Sequence, residues 1–262
     1  MSASSTEAGS LSTTRLTVVS GESRSSAAAC RALDVAVSAV LLLVLLPVFL
    51  VLTVAIRLDS SGRALYRQRR VGRNQEPFTV NKFRTMHSGA GHETHREFVI
   101  GLIAARELAP GETHAQRDET NFFKMANDTR VTRVGRFLRK SSLDELPQLW
   151  NVLRGDMSLV GPRPPIPYEV EHYPPHWFDR FAVKPGMTGL WQVSGRSELG
   201  LEEMIALDVE YARTRSLWLN VKILARTVPV VFAGVHDRLA RHRADRAARV
   251  GGSPTPLLQS AE

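Results

Sequence analysis

The segment Val35–Ile56, VAVSAVLLLVLLPVFLVLTVAI, is the longest apolar run in the chain and contains no charged residue. About 22 residues form a helix of roughly 33 Å, which is long enough to cross the hydrocarbon core of a bilayer. Pro47 lies inside the run, where a proline removes a helix hydrogen bond and kinks the backbone. The run therefore predicts a membrane-embedded helix that bends at Pro47.

Basic residues flank this run on both sides. They are Arg24 and Arg31 before it, and Arg57, Arg63, Arg67, Arg69, Arg70 and Arg73 after it. Because positive charge prefers the cytoplasmic side of a membrane, two basic flanks favour a re-entrant hairpin that enters and leaves on one face. A straight single-pass anchor is the alternative. At the entry, Asp34 either pairs with Arg31 on the same helical face or is a solvated end residue.

Composition divides the rest of the chain into regions. Residues 1–30 are rich in small polar side chains and predict a disordered tail. They do not resemble a cleaved export signal, because no small-residue cleavage site follows the apolar run. Residues 31–58 form the re-entrant helix, residues 59–235 one cytoplasmic domain, and residues 236–262 a basic, largely disordered tail. The predicted fold class is α+β and mostly helical.

Local patterns predict the elements of the 59–235 domain. Ala64–Arg67 and Phe78–Phe83 are typical of short strands separated by a turn at Gly72–Asn74. Leu146–Leu153 predicts an amphipathic helix closed by Gly155. Residues 87–122 are polar and poorly periodic, which indicates an excursion with some helix. Residues 205–211 belong to another helix, and residues 218–235 are apolar but interrupted by charges, which favours an amphipathic helix at the membrane interface.

The overall charge narrows the partners without choosing among them. The net charge of +8 attracts anions: nucleic acid, acidic lipid or phosphorylated substrates. The single cysteine, Cys30, excludes an intramolecular disulfide framework and a cysteine-based zinc cluster. The chain contains no GxxxxGK[ST] loop, no GxGxxG after a strand and no HExxH motif. It also lacks a recognisable nucleic-acid-binding pattern, so we expect no nucleic acid partner.

The segment SSLDELP at 141–147 holds two adjacent carboxylates, Asp144 and Glu145. One interpretation is purely structural, with Ser142 or Asp144 as the N-cap of a helix; Pro147 is tolerated only if Asp144 is the cap. The other interpretation is chemical. A carboxylate can attack a phosphoryl group to form an acyl phosphate, and a second one can help to hold Mg²⁺ against a pyrophosphate.

Cations surround these carboxylates in sequence, and guanidinium groups bind phosphate in a bidentate manner. The candidate phosphate- and substrate-binding residues are Lys82, Arg84, Arg136, Arg139, Arg163 and Arg196. Any one of them can equally belong to a solvated basic face. Arg163 is a better candidate than the average arginine, because flanking prolines restrict its backbone. His92 and His95 have no acidic or cysteine partner at metal-ligand spacing and are interpreted as loop histidines.

Together these segments resemble the monotopic polyprenyl-phosphate phosphoglycosyl transferases of the bacterial sugar transferase family. The resemblance runs from about Arg31 to Gly234. The motifs that carry it are the apolar run with Pro47, YRQRRVGRN (66–74), PFTVNKFRTM (77–86), NDTRVTRVGRFLRKSSLDELPQLWNVLRGDMSLVGPRP (127–164), KPGMTGLWQVSGR (184–196) and LDVEYARTRSLWLNVKIL (207–224). Six such blocks in order leave little room for coincidence.

The resemblance implies a reaction. Asp144 is expected to be the nucleophile that attacks the sugar-bearing phosphate of a UDP-sugar and releases UMP, with Glu145 and Mg²⁺ assisting. The phosphosugar then passes to undecaprenyl phosphate, which initiates exopolysaccharide, capsule or O-antigen synthesis. Lys82, Arg139 and Arg163 match the family's phosphate-handling positions, and Pro47 matches the proline that kinks a re-entrant helix. The resemblance also implies attachment to the cytoplasmic membrane with the catalytic domain on the cytoplasmic face, and it leaves a homodimer open.

Three positions depart from the family pattern. Leu46 precedes Pro47 where serine is common, Ser61-Gly62-Arg63 replaces a Pro-Gly-Pro turn, and Asn220 stands where aspartate is frequent. None touches the expected nucleophile. Similarity to the hexose-type members favours UDP-glucose or UDP-galactose, with an acetamido-sugar donor as an alternative. The rivals in function are a membrane-anchored, non-catalytic protein whose basic surface binds nucleic acid or acidic lipid, and a catalytically silent scaffold.

Overall fold

The computed structural model describes residues 23–89, 93–104, 117–118, 121–125, 128–195 and 199–229. The predicted tails at residues 1–22 and 236–262 lie outside these ranges. Within them the chain is mostly helical with a few short strands, as the sequence predicts.

The apolar run forms two helices, α1 (Arg24–Val44) and α2 (Leu46–Asp59), which meet at Leu45. Pro47 lies in the first turn of α2, where its missing N–H is not needed for a helix hydrogen bond. The predicted interruption is therefore found at Leu45, two residues before Pro47. In the described part of the chain, α1 is the one helix long and apolar enough to cross a membrane. It begins at Arg24, so residues 24–30 of the predicted tail are helical, and Cys30 is buried.

The part of the chain that the structure describes has three two-stranded sheets after these helices. Strands β1 (Leu65–Val71) and β2 (Pro77–Phe83) form an antiparallel ribbon in which Tyr66 pairs with Lys82. The turn between them is a 3₁₀ segment, Arg73–Gln75, with Asn74 at φ 55° and Gln75 at φ 64°. Strands β3 (Arg117–Asp118) and β4 (Asn121–Met125) pair antiparallel, and β5 (Ser158–Val160) and β6 (Gly186–Thr188) pair parallel.

The remaining helices surround these strands. They are α3 (Glu93–Ala104), α4 (Arg133–Ser141), α5 (Gln148–Arg154), α6 (Pro167–Val170), α7 (Leu190–Ser194), α8 (Leu201–Thr214) and α9 (217–229), with 3₁₀ segments at Leu143–Glu145 and Pro175–Ala182. The predicted helix at 146–153 is found as α5, and its end at Gly155, with φ 93°, is confirmed. The predicted helix at 205–211 lies inside α8.

The expected start of the helix after the Asp-Glu pair is wrong in both versions. Ser142 has a left-handed conformation, φ 58°, and ends α4 instead of capping a new helix. Asp144 lies in the intervening 3₁₀ turn, and α5 begins at Gln148 with Pro147 as its N-cap residue. Two short helices therefore meet at a sharp corner, and Asp144 is at that corner.

Within the described ranges, buried side chains form three apolar clusters that hold these elements together. One joins α3 and α8 to Trp177 and Phe181. A second joins β2, α5, β5 and α8, and Leu42 of α1 and Leu45 pack against it. The third joins α2, β2 and α4. The two apolar helices thus pack against the same domain that contains the polar site.

Polar contacts tie the start of α1 to the domain. Arg31 donates to the carbonyl oxygens of Val152 (2.6 Å) and Leu153 (2.8 Å) at the end of α5. Asp34 is buried and accepts hydrogen bonds from Ser158 Oγ (3.1 Å) and the Leu159 amide (2.9 Å). Both sequence interpretations of Asp34, an ion pair with Arg31 and a solvated end residue, are therefore wrong.

The end of α2 is tied to the domain as well. Arg84 donates to the carbonyl oxygens of Ser60 and Ser61, both at 2.6 Å. Asp59 accepts a hydrogen bond of 2.9 Å from the amide of Val134 in the first turn of α4. Such a carboxylate satisfies one of the unpaired N–H groups at a helix start.

Candidate active site

A cavity of about 550 Å³ lies between the β1–β2 ribbon, the 3₁₀ turn with Asp144, the proline-rich segment after β5, and α7. Both carboxylates of the Asp-Glu pair line it. Cationic side chains from four parts of the chain line the same space, namely Arg63, Arg70, Lys82, Arg84, Arg130, Arg139 and Arg163. The cavity therefore combines two carboxylates with a strongly positive wall, which suits an anionic ligand.

Asp144 is 4% exposed and lies at the floor of the cavity. Its position follows from the corner that Ser142 begins: α4 ends in a left-handed residue, and one 3₁₀ turn then carries Asp144 inward. A non-glycine residue in this conformation is uncommon. The helix is interrupted at Ser142, and the turn that follows brings the Asp144 carboxylate to the cavity.

Glu145 forms an ion pair with Lys82, with Nζ and Oε1 2.9 Å apart. Lys82 lies on the face of β2 that points into the cavity, and about a fifth of its side chain is exposed. The two residues are far apart in sequence and come together because the 3₁₀ turn packs against β2. Sequence analysis proposed both residues, and the structure places them in direct contact.

Arg163 is held beside the same cavity by the proline-rich segment. Its guanidinium forms a fork with Glu169, at 3.0 Å from Oε2 and 3.3 Å from Oε1. Glu169 is fully buried. Burial alone would raise the pKa of Glu169, but Arg163 and Arg70 hold it below its ordinary value, so the carboxylate is ionised at neutral pH.

The other proposed cations have different surroundings. Arg139 lines the cavity and donates through Nε to Thr85 Oγ1 at 2.9 Å. Arg84 also borders the cavity, but its guanidinium is engaged with the end of α2. Arg136 is exposed on α4, donates to the Val131 carbonyl oxygen, and does not border the cavity. Arg196 lies outside the described residues.

Several cavity residues escaped sequence analysis. Tyr66, Gln68 and Arg70 alternate along β1 and point into the cavity, so the period of two in this strand was the available signal. His95, interpreted as a loop histidine, lies in α3, contacts Tyr168 Oη through Nδ1 at 2.7 Å and also lines the cavity. No local pattern marks His95, because long-range packing of α3 on α6 brings it there.

The residues present fit a hard divalent cation. Mg²⁺ in proteins is typically held by one or two carboxylates while substrate phosphates and water supply the other oxygens. Asp144 and Glu145 are adjacent carboxylates lining a cavity large enough for phosphate groups. Among the described residues, no group of three or more histidine, cysteine or acidic side chains gathers as a ready-made metal cage. The donor set is therefore of the kind that shares a cation with phosphate.

Comparison with known proteins places this cavity in a family. The model of the bacterial sugar transferase family matches residues 25–234, which include every described element from α1 to α9. The chain belongs to the bacterial sugar transferase family. The Asp-Glu turn, the ribbon and the proline-rich segment thus belong to a domain that this family shares.

Individual relatives in this family agree. The chain is 43% identical over 208 residues to the UDP-glucose:undecaprenyl-phosphate glucose-1-phosphate transferase of Caulobacter vibrioides, covering 76% of this chain and 68% of that protein. It is 40% identical to the exopolysaccharide production protein ExoY of Rhizobium meliloti, covering 77% and 84%. It is 41% identical to the undecaprenyl-phosphate galactose phosphotransferase of Salmonella typhimurium, covering 80% and 41%. The chain thus spans only about two fifths of the length of several relatives it matches.

Proposed function

We propose that this sugar transferase domain moves a sugar-1-phosphate from a UDP-sugar to undecaprenyl phosphate at the cytoplasmic face of the membrane, as an initiating step of exopolysaccharide, capsule or O-antigen synthesis. The observation that carries the proposal is that Asp144 and Glu145 share one cavity with Lys82, Arg139 and Arg163. A nucleophile, a second carboxylate and a cationic wall are the groups that phosphoryl transfer between two phosphates requires.

The transfer takes place in two displacements. A carboxylate oxygen of Asp144 bonds to the sugar-bearing phosphorus, the bond from that phosphorus to the bridging oxygen breaks, and UMP leaves with the electron pair. A phosphate oxygen of undecaprenyl phosphate then attacks the same phosphorus and breaks its bond to Asp144. The product is undecaprenyl diphosphosugar, and the carboxylate is regenerated. A covalent intermediate divides one difficult step into two easier ones.

The cations of the cavity have distinct tasks in this scheme. Lys82, at 2.9 Å from Glu145, brings a positive charge next to the carboxylate pair and limits the repulsion that a phosphate meets there. Arg139 and Arg163 present guanidinium groups that match phosphate oxygens in pairs. Mg²⁺, held by Asp144 and Glu145, would neutralise the pyrophosphate charge. The contacts of Arg84 with the end of α2 favour a supporting role for this residue.

Attachment to one face of the membrane is supported by how the hairpin is held. The start of α1 is bound to the domain through Arg31 and Asp34, and the end of α2 is bound to it through Asp59 and Arg84. A straight span would place its two ends on opposite sides, about 30 Å apart along the membrane normal. Two ends bound to one domain favour a re-entrant hairpin. With the basic flanks, they favour the cytoplasmic side for this domain.

The relatives' names suggest the substrates. The proteins of Caulobacter and Salmonella are named for glucose or galactose transfer to undecaprenyl phosphate, and that of Rhizobium for exopolysaccharide production. A UDP-hexose donor is therefore the first choice. The exposed face of α9, which presents Trp218, suits an anionic lipid interface.

The test is UMP release by protein in nanodiscs with Mg²⁺, undecaprenyl phosphate and a panel of UDP-sugars, beside Asp144→Asn. We expect UMP from one hexose donor and its loss in the variant. Asp179 pairs with exposed Arg213 away from the cavity and provides the matched control Asp179→Asn. Release of UDP would indicate a glycosyl transferase. No nucleotide release from folded, membrane-bound protein would favour a binding protein, and an active Asp144→Asn variant would remove Asp144 as the nucleophile.

A further inference from the structure

The proline-rich segment between β5 and α6 is held by neighbours and not by its own amides. Pro162, Pro164, Pro165 and Pro167 lack an N–H group, so the segment cannot form a regular ladder of its own. Three successive carbonyl oxygens instead accept hydrogen bonds from other elements. They are Arg163 O from Arg180 Nη2, Pro164 O from Arg70 Nη1, and Pro165 O from the Val71 amide, each at 2.9 Å.

The side chain of Arg163 in this segment is also held by neighbouring residues. Glu169, on the short helix α6, forms the fork with Arg163 described above and accepts a further hydrogen bond from Tyr173 Oη at 3.4 Å. Arg70 lies 4.0 Å from Glu169 Oε1. Glu169 itself does not border the cavity and lies behind Arg163. A carboxylate in this position can reach a substrate only through the arginine it holds.

We infer that Glu169 is a positioning residue that fixes the guanidinium of Arg163 for a phosphate of the nucleotide. This inference rests on the proposed function and adds a residue to it. An unrestrained arginine side chain loses rotamer entropy when it binds a ligand. A fork to a rigid, buried carboxylate removes that freedom in advance and sets the plane of the guanidinium. Pairing uses two of the five N–H donors of the fork, so it does not exhaust the group.

A purely structural role makes a different prediction. Buried ion pairs are weak evidence for stability in themselves, and removing one partner destabilises the fold because a buried charge is left. If Glu169 only stabilised the fold, any change in ligand affinity caused by its replacement would be the same with or without Arg163. If Glu169 acts through Arg163, its effect on affinity disappears once Arg163 has been replaced.

The experiment is a double-mutant cycle on the full chain in nanodiscs, with UDP affinity measured by calorimetry. The variants are Glu169→Gln, Arg163→Gln and the double variant. Glu169→Gln is expected to weaken UDP binding about tenfold, the effect of losing one charge-assisted contact, and to have no further effect in the Arg163→Gln background. Glu169→Asp, which keeps the charge, should recover part of the affinity and covers the case in which Glu169→Gln does not fold. Glu202→Gln, at an exposed contact with His176, is the matched control.

The outcomes separate the two proposals. The positioning role would be overturned by additive losses of affinity in the cycle, or by a Glu169→Gln variant that binds UDP like the wild type. In either case, UMP release by the wild type would still support the proposed function. Coupled losses without UMP release from any donor would keep the positioning role and refute the reaction. Wild-type protein that binds no UDP would overturn both.

Discussion

The substitution of Arg84 tests whether this side chain holds the end of α2 or binds a phosphate. Arg84 is 8% exposed, and its guanidinium donates to the carbonyl oxygens of Ser60 and Ser61, both at 2.6 Å. The last carbonyls of a helix have no partner within it, so Arg84 satisfies groups at the end of α2. The substitution Arg84→Met keeps the aliphatic volume and removes these donors.

The magnitude follows from the contacts. A hydrogen bond to a charged group contributes about 1.5–3 kcal/mol, and water can partly replace it at a half-buried helix end. Two such bonds at the low end of that range give a loss of about 3 kcal/mol in the free energy of unfolding. For a domain of this size, that loss lowers the unfolding midpoint by roughly 10 °C.

The assay combines thermal unfolding in nanodiscs at one scan rate with UMP-release kinetics at a temperature where every variant is folded. Arg84→Met and Arg84→Lys should both lower the midpoint, because lysine lacks the planar fork, while the KM for the donor stays within about twofold. Exposed Arg133→Met is the control and should change stability by less than about 0.5 kcal/mol. An unchanged midpoint with a KM raised tenfold in Arg84→Met would refute the bracing role and restore the phosphate-binding prediction.

Three further predictions follow from the packing and charge of the domain. Asp34→Ala leaves buried donors of β5, including Ser158 Oγ, without their acceptor and should lower the free energy of unfolding by about 2 kcal/mol in denaturant titrations, whereas Asp34→Asn, which keeps Oδ1, should lose less. Gly186→Ala would place a Cβ 2.0 Å from the Gly161 amide nitrogen, so we expect a loss of about 3 kcal/mol or an insoluble protein, and wild-type stability would contradict the β5–β6 contact. The ion pairs with Arg163 and Arg70 hold the pKa of Glu169 below its ordinary value of 4.5. The ionised carboxylate therefore stabilises the fold above pH 4.5, and this stabilisation is lost as the pH falls through the lower pKa of the folded state. The acid limb of a curve of unfolding free energy against pH should be shallower in Glu169→Gln.

Local features of the site were accessible from sequence because they depend on neighbouring residues. Proline is tolerated in the first turn of a helix but not in its interior, and Pro47 is found in the first turn of α2, just after the helix break. Gly155 ends α5 because a left-handed C-terminal residue favours glycine. The ribbon follows from short β-prone segments around a turn, and the observed strands extend those predictions to Leu65–Val71 and Pro77–Phe83.

Features that depend on distant residues were not accessible. Asp34 was interpreted as an ion-pair partner or a solvated residue, yet its carboxylate accepts hydrogen bonds from β5, more than a hundred residues away. Ser142 has the sequence context of an N-cap, but at the corner between α4 and α5 it has a left-handed conformation and ends α4. His95 becomes a cavity residue only because α3 packs against α6. The sugar, the oligomeric state, the anionic lipid contact and the lack of a nucleic acid partner stay predictions.

The sequence by itself determined the family, the apolar run with its break and the set of charged residues from which the site is built, because these are properties of composition and local order. Only the tertiary structure decided which charges share the cavity. It brings Lys82 to Glu145 and Arg163 to Glu169, directs Arg84 to the end of α2 and leaves Arg136 exposed. The physical reason is that a buried charged side chain needs a partner to compensate for its lost hydration, and that partner determines what the side chain does. Only folding brings such distant partners together.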